Sequence, residues 1–256
     1  MKDSFQRVAV IVFLLTTLIF NALANIIPFN GLTTGGVSDG IPSLFTPAGY
    51  VFGIWGVIYL ALMLYAVYQA LDAQRDNPRL RKTGWWFVVS CAANMAWLFC
   101  WHYLLFPLSM LAMLVLLASL MVIYHLLETG RSQVSLAEQL LVRVPFSIYL
   151  GWISVATIAN AAVMLITLNW NGLGLPPPTW TAIVIAVAAL LGALMSWLRH
   201  DWVYGLVLVW AFAGIAVKQA ADPFISGWAW GGLAFVLLAM IVGYVRKLRQ
   251  PARAAL

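Results

Sequence analysis

Long apolar stretches, broken by short polar turns, run through the whole chain. A hydrocarbon core about 30 Å thick needs roughly 20 apolar residues in helical form, because each backbone polar group must bond within its own segment. Stretches of that kind lie at about 8–27, 47–70, 84–105, 107–127, 141–168, 179–198, 202–218 and 226–245. The breakers between them are Asn77-Pro78, Gly130-Arg131, the run from Asn169 to Pro178, Arg199-His200-Asp201 and Asp222-Pro223. The pattern predicts an all-α polytopic transmembrane bundle of about eight helices. One connection differs from the rest. Residues 28–45, PFNGLTTGGVSDGIPSLF, are polar, glycine-rich and long enough to fold over something.

Charge sets the orientation. With the N-terminus inside, the inner segments hold Lys2, Arg7, Arg75, Arg79, Arg81, Lys82, Arg131, Arg143, Arg199, Arg246, Lys247, Arg249 and Arg253, and the outer segments only Lys218. That bias places both termini inside. It also explains the net charge of +6 as topology and attraction to anionic lipid, with no nucleic-acid partner. A second reading exists for the first segment. Lys2 and Arg7, an apolar run and then Ala22-Leu23-Ala24 have the form of a signal peptide with its cleavage site. The apolar run nevertheless continues through Ile26-Ile27.

Composition narrows the chemistry. Hydrophobic residues make up 64% of the chain and charged residues 9%, far from the balance of a soluble domain. Cys91 and Cys100, nine apart, fall on opposite faces of one helix and cannot share a metal. His102 and His125 belong to opposite membrane surfaces. No Gly-rich phosphate loop, nucleophile elbow or HExxH is present, and no carboxylate or lysine falls at mid-membrane. The expectation is a protein that is not an enzyme and needs no cofactor.

The remaining signal is 13 tryptophans and a few membrane-depth amides. Trp85, Trp86, Trp197 and Trp202 fit an inner aromatic belt, and Trp101, Trp170, Trp180, Trp228 and Trp230 an outer one. Trp55, Trp97, Trp152 and Trp210 lie deeper. Chain direction then brings one set of groups to the outer half of the membrane. They are Asn21 and Asn25 on the first span, Trp55 and Tyr59 on the second, Asn94, Trp97 and Trp101 on the third, and Trp152, Ala156 and Asn160 on the fifth. Two explanations stand. The amides are hydrogen-bond glue between helices, or they line a pocket with stacking walls and a glycine-rich lid.

At these residues the chain resembles the TspO/MBR family, the tryptophan-rich sensory proteins related to the mitochondrial translocator protein (peripheral benzodiazepine receptor). FTPAGYVFGIWGVIYLALMLY (45–65) is similar to the family's second helix through Pro47, Tyr50 in place of its usual Trp, Val51, Phe52, Gly53, Trp55 and Tyr59. Asn94, Trp97 and Pro107 in NMAWLFCWHYLLFP, and Trp152, Ala156, Thr157 and Asn160 in GWISVATIAN, follow its third- to fifth-helix signatures. The resemblance covers residues 1–170 and implies a five-helix bundle. Residues 171–250 form three additional helices and 251–256 a short tail.

What the resemblance implies is binding of a flat hydrophobic ligand, a tetrapyrrole such as porphyrin or haem, with a sterol second, for sensing, sequestration or transport. The candidate binding set, drawn from depth and helical spacing, is Asn21, Asn25, Trp55, Tyr59, Asn94, Trp97, Trp152, Ala156 and Asn160. The expected surroundings are a bacterial cytoplasmic membrane, with a homodimer as an allowed assembly. The alternative is a small permease for a lipophilic solute. It is motivated by residues 202–220, which echo 50–70 in aromatic-Val-aromatic-Gly and terminal Gln-Ala while running the opposite way. Lys218 is read as the anchor of an anionic ligand group or the partner of Asp222.

The orientation is directly testable in a Cys91→Ala, Cys100→Ala background. A membrane-impermeant maleimide should label Gly35→Cys in intact cells and Gln133→Cys only after permeabilisation. The reverse order of labelling would overturn the inside-positive assignment.

Overall fold

In a computed structural model, which describes residues 2–249, the chain folds into helices joined by turns, with no strand among the described residues. The tail at 251–256 lies outside the described residues. The helices are α1 (Lys2–Ile26), the short α2 (Thr34–Asp39), α3 (Ile54–Ala70), α4 (Pro78–His102), α5 (Phe106–Leu126), a single turn α6 (Leu136–Glu138), α7 (Val144–Thr167), α8 (Pro177–Leu198), α9 (Trp202–Lys218) and α10 (Pro223–Arg249). Starts are written locally. Asn77 accepts from the Arg79 amide just ahead of Pro78, and Asp201 accepts from the Tyr204 amide at the start of α9.

Seven of the helical runs are long and apolar enough to cross a membrane, among them Gly49–Ala70 and Leu136–Thr167. The eighth, α9, has 17 residues, about 25 Å of helix. Its neighbours show that it still traverses the bundle. Near its start Gly205 lies against Ser196 and Met240 at the basic end, and near its finish Gly214 lies against Pro47 and Val51 at the opposite end.

The first five long helices close a ring in which α4 packs on α1 and α5, α5 on α7, and α3 on both α7 and α1. Helices α8, α9 and α10 pack on one another, and α9 joins them to α7. Small residues set the close approaches. A Cβ on Gly151 would stand 3.1 Å from Val207, and one on Gly192 2.9 Å from Leu208.

The basic end is held by arginines that bond to helix C-termini. Arg7 donates through Nε to the Gln69 carbonyl (3.0 Å) and through Nη2 to Ala70 and Leu71 at the end of α3. Arg143, 2% exposed, donates to Leu127 O through Nε (3.1 Å) and Nη2 (2.8 Å), and to Ser132 O through Nη1 (2.6 Å). Residues Gln139–Arg143 form a π turn ahead of Pro145, whose ring would otherwise press on the carbonyl four residues back. Glu138 and Arg79 form an ion pair between α6 and α4.

Two sequence expectations are revised, at Trp101 and Lys218. Trp101 is buried at 5% exposure and leaves the outer belt, because the 28–45 segment covers it. Trp210 lies at the middle of α9 and faces outward, its indole donating to the Val51 carbonyl at 3.1 Å. Lys218 pairs with Asp39 at 2.8 Å, whereas Asp222 accepts from the Phe224 and Ile225 amides at the start of α10. The remaining belt tryptophans behave as expected at Trp85, Trp86, Trp170, Trp197, Trp202, Trp228 and Trp230, all exposed, while Trp180 is half-buried.

Arg143→Met should keep the side chain's bulk and strand the Leu127 and Ser132 carbonyls in an apolar setting, costing about 1–3 kcal/mol. A lower thermal midpoint of the detergent-solubilised protein would show it, and an unchanged midpoint would refute the bracing role.

Candidate ligand site

The outer half of the five-helix ring contains a ladder of aromatic rings. Trp55 and Tyr59, one turn apart on α3, stack with centroids 5.4 Å apart. Trp55 stacks on Trp97 and Trp97 on Trp101, each at 6.0 Å with planes within 30° of parallel. Trp152 of α7 meets Trp55 edge-on at 6.2 Å and Phe52 edge-on at 5.8 Å. Offset stacks and edge contacts of this kind add about 0.5–1.5 kcal/mol each beyond burial.

The amides tie the helices beside this ladder. Asn21 Nδ2 donates to Asn94 Oδ1 (2.9 Å), and Asn94 Nδ2 donates to the Tyr149 hydroxyl (3.1 Å), a relay from α1 through α4 to α7. Trp97 Nε1 and Ser109 Oγ both donate to Asn160 Oδ1, at 3.0 and 3.1 Å. Asn25 accepts from the Thr34 amide at 3.3 Å and so reaches α2.

Helix α2 is the roof. Thr33 caps it by accepting from the Gly36 amide. Trp101 Nε1 donates to the Thr34 carbonyl (3.1 Å), and Thr34 Oγ1 lies 3.0 Å from His102 Nε2. The segment is also fastened to α9. The Ala48 amide donates to Gly214 O (3.1 Å), Gln219 Nε2 to Leu44 O (3.3 Å), and Lys218 pairs with Asp39.

A cavity of about 30 Å³ remains beneath the roof, lined by Trp55, Trp97, Trp152, Ala156 and Asn160 among others. Those five were singled out from the sequence. Asn21, Asn25, Tyr59 and Asn94 do not line it and serve in or beside the relay. Among the lining residues outside the expected set are Thr34, Ser38, Pro47, Phe52 and Trp101, with Val155, Ala159 and Val163 on α7. Trp101 carried a signal, since it continues the stripe of Asn94 and Trp97, but its place near the helix end assigned it to the belt. Thr34 and Ser38 carried none. The volume holds about one water molecule and is far below the several hundred Å³ of a typical ligand site. One lining residue nevertheless has a buried polar atom without a partner, the Trp152 Nε1, and the Tyr59 and Thr46 hydroxyls, on residues that do not line the cavity, are also unpartnered.

An aromatic ladder inside an all-helical membrane bundle, braced by amides and roofed by a short helix, defines an integral membrane protein with a closed aromatic core in one leaflet. The TSPO-like protein family model matches residues 7–242, and the chain belongs to that family. The match runs through the three C-terminal helices as well as the first five. No curated protein and no solved structure matches the chain.

The relay is measurable by a double-mutant cycle. Asn21→Ala and Asn94→Ala should each destabilise the protein and couple by about 0.6 kcal/mol, the usual scale for such bonds in lipid. Strict additivity in thermal or denaturant unfolding would remove the relay from the account.

Proposed function

We propose that this protein binds a planar hydrophobic ligand, a tetrapyrrole such as porphyrin or haem with a sterol-like molecule second, among its first five helices. On this reading it senses, sequesters or carries that ligand in a cytoplasmic membrane and is not an enzyme. The three C-terminal helices form a separate unit that buttresses the site. The observation that carries the reading is the near-parallel stack Trp55–Trp97–Trp101, flanked by a Trp152 indole N–H without a partner. A flat π-system is a natural addition to such a stack, and the free N–H is a donor for a polar edge. Ala156 and Ala159 leave the α7 side free of bulk.

The present cavity is the closed form, and the ligand enters by displacing α2 or the Trp55 ring.

Protoporphyrin IX titrated into the purified protein should quench tryptophan fluorescence and shift its own Soret band saturably. Replacing Trp55, Trp97 and Trp152 together by Leu should weaken binding about tenfold or more, the sum of several aromatic contacts. An unchanged Soret midpoint in the triple variant would exclude this site. Saturable counterflow of the ligand in proteoliposomes would identify carriage; binding without flux would identify sensing or storage.

A further inference from the structure

A second, far roomier cavity lies away from the aromatic ladder. It is a groove of about 1280 Å³ floored by α7 and walled by α3 and α9. Ile54, Val57, Leu140, Ile148, Leu206 and Trp210 give it apolar sides. From Trp202 to Trp210 the α9 wall rises eight residues, about 12 Å. The groove is apolar along its walls, and it ends at the basic surface.

That end is built differently. Its lining includes Arg131, Arg143 and Arg199 against a single acid, Asp201. Asp201 is turned into the protein, where its carboxylate accepts from the Tyr124 hydroxyl (2.8 Å), the Ser147 hydroxyl (2.6 Å) and the Tyr204 amide (3.1 Å). Arg143 is committed to Leu127 and Ser132. Arg131 is exposed, and Arg199 rests its guanidinium 5.1 Å from the centre of the Tyr124 ring. Neither makes an ion pair among the described residues.

Polar atoms without partners gather at the same end. Thr129, 4% exposed, lines the groove and its hydroxyl has no hydrogen-bond partner; the Nδ1 of His200 is likewise unpartnered. The two loops that carry these groups are pressed together at Gly130. Its φ is +74°, and a Cβ there would stand 1.7 Å from the Arg199 carbonyl oxygen, so only glycine fits. Two arginines and a buried, unpartnered hydroxyl thus stand at the basic end of an apolar groove, a combination whose chemistry suits a phosphate joined to hydrocarbon.

We propose that the α3–α7–α9 groove binds one anionic phospholipid of the basic-side leaflet, with an acyl chain between α3 and α9 and the phosphate at Arg131, Arg199 and Thr129. The site lies outside the aromatic ladder and does not depend on the tetrapyrrole reading. Charge complementarity selects the occupant. A zwitterionic lipid fills the slot equally well but leaves the excess positive charge unmatched.

Native mass spectrometry of the full-length protein, titrated with phosphatidylglycerol, phosphatidylcholine or glycerol 3-phosphate, tests the site. One phosphatidylglycerol should be retained about tenfold more tightly than phosphatidylcholine, and glycerol 3-phosphate should not displace it. Arg131→Gln with Arg199→Gln should abolish that preference. Arg75→Gln with Lys82→Gln, which removes the same charge elsewhere on the basic surface, should leave it intact. Thr129→Val should reduce the preference, and Leu206→Trp should weaken retention of both lipids by crowding the α9 wall; both remain informative if the double arginine variant does not fold. Equal retention of the two lipids, equal loss in the Arg75/Lys82 control, or no effect of Thr129→Val and Leu206→Trp would each overturn the proposal. Displacement by glycerol 3-phosphate would overturn it in favour of a soluble phosphate ester.

Discussion

Lipid offers no water to a stranded carbonyl, and that constraint organises the protein. A helix leaves its last carbonyls unpaired, and with chain direction alternating, α3 and α5 both end at the basic surface. Arg7 reaches the carbonyls of residues 69–71 and Arg143 those of residues 127 and 132. The excess of positive charge at that surface therefore serves two purposes. It orients the chain, and it satisfies and electrostatically complements the negative ends of the helices that finish there. Because Arg143 comes from the start of α7 and Arg7 from α1, each such bond also fixes one helix against the end of another.

In the opposite leaflet amides replace arginines in the same role. The Asn21–Asn94–Tyr149 relay crosses three helices, and Asn160 binds the Trp97 indole. The glue and pocket explanations are thus not exclusive. The bonds that join α1, α4 and α7 also hold Trp97 in its stack with Trp55, so on the proposed binding reading part of the stacking surface is already set. Preorganisation of that kind lowers the entropy cost of binding. On the other side, α9 fixes the segment between α2 and α3 through Gly214, Gln219 and Lys218. A Cβ on Gly214 would lie 2.1 Å from Val51, so this contact is backbone against side chain with no slack. Thus the C-terminal helices help to position the roof as well as enlarging the bundle.

Periodicity and charge made the helices legible because spanning a bilayer imposes a length and a sign on each segment. Trp55, Trp97, Trp152 and Asn160 were legible for a related reason: one helical face and a known direction fix depth. What failed to show lies outside periodic segments or across great sequence distance. Thr34 and Ser38 sit in a polar loop whose composition announces a turn but not the six-residue helix it forms. Lys218 finds Asp39 across 179 positions and passes over nearby Asp222, which the α10 N-terminus claims. The π turn before Pro145 and the twofold use of Trp101, as belt candidate and as ladder member, were likewise decided by neighbours that one-dimensional spacing does not reveal.

On the proposed binding reading, the closed roof sets the terms on which a ligand enters. Lifting α2 breaks the Trp101–Thr34 bond, the Asn25–Thr34 bond, the Thr34–His102 contact and the exposed Lys218–Asp39 pair. Neutral hydrogen bonds contribute about 1 kcal/mol net each and an exposed ion pair less. These polar contacts sum to a few kcal/mol and the burial of Val37 and Trp101 adds to them, so the open form is a minor fraction. A guest that binds only the open form has its affinity lowered by that fraction. Weakening any of these roof contacts would raise the apparent affinity while leaving the stacking surface untouched. The aromatic ladder would then set which ligand is recognised, and the fastening of α2 to α4 and α9 how readily it enters.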